Sequence, residues 1–286
     1  MLRVALALVV LATAEPRVTT IDLDDDLPSR GRLGGVSVDD DGFIYVSDFG
    51  STIWRISPEG GVDVLDNSLR GSSGNTLDSA GNLCQASFRD NHIVRIDRQG
   101  NLENYATQGL DGPVGIVADG SGNLYVCNCS GNYIAKVDAN GKTTRFAESP
   151  DFDCPNGITF DASGYFVVAS FNNGYLVRVS PDGEAKTWVE VPEGRNAHVA
   201  ATEHGVYVTK IESNRIYRIN RAGNVEAFAG TGELGLDDGP ALEATLARPN
   251  GIAVSPDGRS LYVNNLEGPW RGSEPTNIIL RRIELP

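Results

Sequence analysis

Apolar residues occur along this chain in short bursts, each introduced by a glycine turn. The bursts are Ile44-Tyr45-Val46, Leu83-Cys84, Leu124-Tyr125-Val126, Phe166-Val167-Val168, Val206-Tyr207-Val208 and Leu261-Tyr262-Val263. The glycines before them, Gly42, Gly81, Gly122, Gly164, Gly205 and Gly258, lie 39, 41, 42, 41 and 53 residues apart. An insertion around Gly230 to Leu246 accounts for the longer last interval. About eight residues after each of the first five bursts comes an alternating segment: Ile53-Trp54-Arg55-Ile56, Ile93-Val94-Arg95-Ile96, Ile134-Ala135-Lys136-Val137, Leu176-Val177-Arg178-Val179 and Ile216-Tyr217-Arg218-Ile219. Period-two alternation bounded by Gly, Asn and Asp predicts paired strands. A second glycine turn follows, at Gly60, Gly100, Gly141, Gly183 and Gly223, and leads into a fourth short strand.

Six copies of a four-stranded unit predict an all-β fold, a six-bladed β-propeller with four-stranded blades. A closed barrel would require no such repeat, and no stretch carries the 3.6-residue period of a long helix. The last unit ends at Ile279-Leu280-Arg281-Arg282-Ile283 without a fourth strand, while the strand-like segment Val18 to Leu23 has no unit of its own. The ring is therefore expected to be closed by this N-terminal strand, added as the outermost strand of the last blade, which removes an exposed sheet edge.

The first residues change the picture of where the protein works. Arg3, the apolar run Val4 to Leu11 and the tripeptide Ala12-Thr13-Ala14 have the pattern of a secretory signal peptide. The run is too short for a mature membrane anchor. The expected plan is a signal peptide over 1–14 and a propeller over 15–286, in a secreted or periplasmic protein. A net charge of −14 opposes nucleic acid and anionic membrane surfaces. The expectation is a small polar ligand, no nucleic acid, no membrane insertion and a monomeric state. Four cysteines suit an oxidising compartment. Cys129 and Cys154 fall on the top face of neighbouring units, where they form a disulfide or remain separate thiols; Cys84 and Cys127 fall inside strands and are expected to pack as small apolar residues.

Candidate chemistry gathers at the mouth of the propeller. The last residues of the six second strands are Asp48, Ser87, Asn128, Ser170, Lys210 and Asn265, all polar. They are either ordinary solvated strand ends or a polar funnel for a hydroxylated ligand. Asn172 and Trp270 extend from the loops beyond, Trp270 as a stacking surface for a ligand or as packing on blade six. His198 stands where the other five repeats have glycine. It is a general base near Asp48 or Lys210, or a hydrogen-bonded filler at the top of the core. No serine nucleophile elbow, phosphate loop or His-Glu-x-x-His motif is present.

The segment Gly232-Glu233-Leu234-Gly235-Leu236-Asp237-Asp238-Gly239-Pro240, with Ala247-Arg248-Pro249-Asn250-Gly251-Ile252-Ala253-Val254, resembles an NHL repeat. Pro155-Asn156-Gly157-Ile158 and the units around it resemble the gluconolactonase/regucalcin (senescence-marker-protein) family. That resemblance implies one divalent cation, usually calcium, at the top of the central channel, held by residues just before successive inner strands. Gly34, Ser73, Val114, Asn156, Ala197 and Asn250 align there. Asn156 and Asn250 match as ligands, Gly34 and Ala197 stand where acids would be expected, and Asp153, three residues before Asn156, is a substitute anionic ligand. Virginiamycin-lyase-like propellers, a further relative, would carry histidine near such positions, and His198 lies one residue beyond one. Two readings follow: a metal-dependent hydrolase of small lactones or esters, or a non-catalytic NHL-like propeller binding a sugar, peptide or partner protein.

Overall fold

One side-chain staple shapes most of the blades. In blade 3 the carboxylate of Asp119 accepts the backbone N–H groups of Ser121 (2.8 Å) and Asn123 (2.9 Å) across the turn, where Gly122 adopts φ +81°. A short acceptor closing its own turn, with glycine in the left-handed region, is a tight and self-sufficient hairpin. Asp39, Asp78 and Asp161 repeat it in blades 1, 2 and 4, and Asp97, Asp138 and Asn220 close later turns in the same way. Six of the chain's 38 acidic residues are thus engaged in closing turns. The run Asp39-Asp40-Asp41 is one such turn, with Asp39 buried and accepting the Tyr45 hydroxyl at 3.0 Å.

The computed structural model describes residues 15–269 and 276–286, and among them there is no helix. Five sheets are four-stranded antiparallel meanders; their innermost strands are Val36–Val38, Ser72–Leu77, Pro113–Ala118, Pro155–Phe160 and Asn196–Thr202. The sixth begins at Ile252–Val254, continues through Ser260–Glu267 and Thr276–Glu284, and is completed by the N-terminal strand Arg17–Thr20. Val18 pairs with Ile283 and Thr20 with Arg281, so the ring closes as the repeat count requires. Two further residues, Gly239–Pro240 of the insertion, cap the outside of that strand. Apolar side chains fill the wedges between blades: Val46, Trp54 and Ile56 of blade 1 pack with Leu266, Ile278 and Leu280 of blade 6. Tyr125 of blade 3 meets Phe160 and Phe166 of blade 4.

Toward the axis, packing gives way to a continuous belt of hydrogen bonds. Ser47 Oγ donates to Ser73 O (2.6 Å), Ser73 Oγ to Pro113 O (2.8 Å), and Cys127 Sγ to Gly157 O (3.7 Å). Asn156 Nδ2 donates to Ala197 O (3.1 Å), Thr209 Oγ1 to Asn250 O (2.6 Å), and Asn250 Nδ2 back to Gly34 O (2.8 Å). Each of the six blade junctions carries at least one such bond. Just below the belt, Gly35, Gly74, Gly115, Gly157 and Gly251 bring neighbouring backbones into contact: a Cβ on Gly157 would lie 2.6 Å from His198 Cα and 2.8 Å from Val199 N. Blades 2 to 5 bulge at this level, where the ladder slips between Ser72 and Asn75, Pro113 and Ile116, Pro155 and Gly157, and Asn196 and Val199. Such bulges re-aim side chains, here toward the axis.

Deleting residues 15–29 removes the closing strand and two fully buried side chains, Val18 and Leu27. At about 1.5–3 kcal/mol each and about 2–4 °C per kcal/mol for a domain of this size, the melting temperature should fall by about 6–24 °C in a calorimetric scan. Gly157→Ala should cost about 1–3 kcal/mol in urea unfolding, because the added methyl overpacks a blade junction.

Candidate ligand cavity

The belt forms the floor of a cavity of about 350 Å³ on the top face, lined by Arg32, Leu33, Gly34, Phe49, Ser73, Phe88, Arg89, Val114, Cys129, Cys154, Asn156, Phe171, His198 and Asn250. Five of the six positions aligned just before the inner strands are therefore in the wall: Gly34, Ser73, Val114, Asn156 and Asn250. Ala197 is fully buried, and blade 5 contributes His198 instead. The amide nitrogens of Asn156 and Asn250 are committed to the belt.

His198 occupies the waist. It borders both this cavity and a second one of about 290 Å³ in the lower channel, lined by the inner strands. Its backbone is fixed by Thr209, whose Oγ1 accepts the His198 N–H at 3.0 Å. The imidazole is the one side chain in a ring otherwise made of glycines. Protein encloses it, the surface it keeps faces the channel, and burial pushes its pKa down to about 4, so it is neutral at physiological pH.

Above the waist the wall is aromatic and cationic. Phe49, held at φ +54°, packs on Phe88 with ring centroids 5.3 Å apart, and Phe171 faces them from blade 4. The Cys129–Cys154 disulfide forms the wall between blades 3 and 4, while Cys84 and Cys127 are buried free thiols. Arg32 and Arg89 are in the lining, and among the described residues no carboxylate is. The acids beside Phe49 and Arg89 in sequence are turned into their own loops. Asp48 accepts Gly50 N (2.7 Å), Thr52 N (3.0 Å) and Ser72 Oγ (3.1 Å), and Asp90 accepts Ser87 Oγ (2.9 Å) and Arg70 N (3.1 Å). Burial raises the Asp48 pKa above the ordinary carboxylate value.

The second-strand ends are not in this lining. They hold the loops that lead into the inner strands. Asn128 Oδ1 accepts Asp111 N (2.7 Å), Ser170 Oγ accepts Asp153 N (2.8 Å), and Asn265 Oδ1 accepts Ala247 N (3.0 Å). Lys210, 0% exposed, donates to Val191 O (3.1 Å), Gly194 O and Asn196 Oδ1 (2.9 Å). Burial lowers its pKa to about 8, against the opposing pull of Glu212, Glu193 and Glu190. His198, Asp48 and Lys210 are thus not brought together: only His198 reaches the cavity. Asn172 and Asp153 are exposed and bonded to each other (2.8 Å), outside the lining, and Trp270 lies outside the described residues.

The side chains that do face the cavity follow the strand ends by one residue. Phe49, Phe88, Cys129 and Phe171 line it, and Ile211 and Leu266 are their equivalents in blades 5 and 6. All six positions are apolar, a periodic signal present in the sequence. The residues in the wall do not suit a hard cation, which needs anionic oxygen to offset its dehydration. Two guanidiniums oppose one, and among the described residues no group of three or more His, Cys, Asp or Glu converges.

The virginiamycin B lyase family model matches residues 30–268, from the approach to blade 1 to the second strand of blade 6. The chain belongs to the virginiamycin B lyase family. A streptogramin B lyase structure is similar at TM-score 0.67 and 15% identity, covering 94% of this chain and 98% of that one. A catalytically inactive histidine-to-alanine virginiamycin B lyase from Staphylococcus aureus, with quinupristin, gives 0.66 and 18%, with coverage of 95% and 100%. A gluconolactonase from Xanthomonas campestris gives 0.68 and 15%, with 96% of each chain covered. At these identities the likeness is one of fold. Within this virginiamycin B lyase family member, the cavity must therefore be read from its own residues.

His198 is neutral when folded and protonates near its ordinary pKa of 6.5 when unfolded, so the unfolded chain binds more protons between about pH 4 and 6.5. Stability should fall as pH drops through that window. His198→Asn, a neutral replacement, should flatten the His198 part of the fall when the two proteins are compared by urea denaturation at pH 7 and pH 5.

Proposed function

We propose that this protein is a ligand-binding propeller whose top-face cavity takes a small polar molecule carrying an anionic group, without a divalent metal and without turnover. The observation that carries this reading is the lining itself: among the described residues it holds two arginines, a neutral imidazole, three phenylalanines and no carboxylate, in a chain of net charge −14. Guanidinium groups bind carboxylates, sulfonates and phosphates through paired, directional hydrogen bonds. The aromatic wall excludes water and strengthens that attraction. A hydrolase would need a nucleophile or activated water, with an acid or metal to stabilise the charge that develops. Among the described residues the lining holds one weakly basic imidazole and no carboxylate to act with it.

Family membership and the imidazole at the channel waist favour a second reading, a lyase or lactonase in which His198 moves a proton. An inactive relative altered at a histidine is consistent with it. Export is part of the proposal on the pattern of residues 1–14, with support from the Cys129–Cys154 disulfide.

The test is calorimetric titration with benzenesulfonate and with methyl phenyl sulfone, its neutral analogue. Benzenesulfonate should bind, the sulfone at least about tenfold more weakly, and Arg32→Ala or Arg89→Ala should each cost about tenfold, the worth of one charge-assisted hydrogen bond. Equal affinity for the two compounds, or hydrolysis of a lactone or ester panel that His198→Ala abolishes, would replace the binding reading with the enzymatic one.

A further inference from the structure

Phe171 has a cavity on each side. Its ring lines the central cavity and also a second pocket of about 270 Å³ on the top face of blades 4 to 6, formed with Arg195, Ile211, Glu212, Asn214, Leu234 and Arg248. Arg195 lies over the Phe171 ring, 5.3 Å from its centroid, and its nearest carboxylate is Glu212 at 3.5 Å. Arg248, at φ +51°, is anchored through Nη1 to Gly268 O at 2.8 Å.

Leu234 reaches this pocket from the insertion that lengthens the last repeat. The insertion is firmly held: Arg281, with no exposed surface, donates to Thr245 O (3.1 Å), Asp237 O (3.1 Å) and Asp238 Oδ1 (2.8 Å). Its base is also tied by Gly230 N to Ala241 O (2.8 Å) and Thr231 N to Ala244 O (3.0 Å). A loop fixed in this way nevertheless leaves Leu234 55% exposed beside a pocket. Leu234 thus adds an exposed apolar surface to the wall of the adjoining pocket.

We infer that the two cavities form one extended site for an amphipathic organic anion, its charged group on Arg32 and Arg89 and its aromatic or branched body crossing Phe171 to rest on Leu234 and Ile211. Charge supports this occupant. Among the described residues the two linings hold four arginines against one carboxylate, Glu212, which is already paired, on a protein whose net charge is −14. A cation or a strongly acidic protein surface without an apolar element would leave either the arginines or Leu234 without a complement. The inference rests on the anion-binding reading of the central cavity and adds the shape of the ligand.

Two sulfonates separate the two claims. Benzenesulfonate is small enough for the central cavity alone, whereas 8-anilinonaphthalene-1-sulfonate has the same anionic group on a longer aromatic body. The longer probe should bind at least tenfold more tightly by fluorescence titration, and benzenesulfonate should displace it competitively. Leu234→Glu, on an exposed position, should weaken the longer probe at least tenfold and benzenesulfonate less than twofold. Val64→Glu, on the outer strand of blade 1 where Val64 is also exposed, should change neither. If benzenesulfonate binds but the longer probe binds no more tightly, or is indifferent to Leu234→Glu, the extended site is refuted and the central cavity stands. If benzenesulfonate does not bind, both are refuted.

Discussion

Six inner strands must approach one axis closely without leaving backbone groups unpaired, and everything else in this molecule follows from how that is achieved. Glycine at five of six equivalent positions lets the backbones touch, and a side-chain donor at every junction bonds to the next blade. The hydrogen bonds are individually modest, on the order of 1 kcal/mol. Their importance is geometric, since they form a closed circuit in which no blade can shift without straining its neighbours. The N-terminal strand completes the same circuit at the outer rim. With the ring fixed, the residues at its top become a preorganised wall.

That wall has a sign opposite to the protein. The carboxylates that give the chain its acidity are engaged in turns, at loop staples or on the outer surface, and Asp48 and Asp90 are drawn away from the axis by backbone N–H groups. What remains facing the cavity is Arg32, Arg89, an uncharged His198 and an aromatic collar. A cavity of this character favours anions by Coulomb attraction inside low-dielectric walls, and it disfavours a calcium ion for the same reason. The virginiamycin B lyase fold is thus compatible with a site whose chemistry is set by a few wall residues, while the scaffold beneath is common to proteins with other activities.

The repeat spacing revealed the blades, their number and the closing strand, because turn chemistry and period-two alternation are local properties. It also revealed His198, as the single departure in a glycine position, and Cys129 and Cys154 as neighbours on the top face. The facing of the mouth was less legible. Polar residues at the strand ends suggest a funnel, yet Asn128, Ser170 and Asn265 are polar because loop N–H groups beside them need acceptors. The next residue in each repeat, Phe49, Phe88, Cys129, Phe171, Ile211 and Leu266, forms an apolar series, and in blades 1 to 4 it faces the cavity. Alternation loses its meaning where a strand passes into a loop, so parity alone selected the wrong neighbour. Arg32 has no repeat equivalent because it lies on the approach to blade 1, and periodicity carries no information about it.

The most direct test of the account is which kind of ion the axis of the ring senses. His198 touches the cavity floor and, with only three histidines in the chain, its imidazole signal can be assigned by comparison with His198→Asn. Titrating labelled protein with benzenesulfonate should shift the His198 imidazole resonances saturably, while calcium chloride at the same concentrations should leave them unmoved. A saturable shift with calcium and none with the sulfonate would contradict the account.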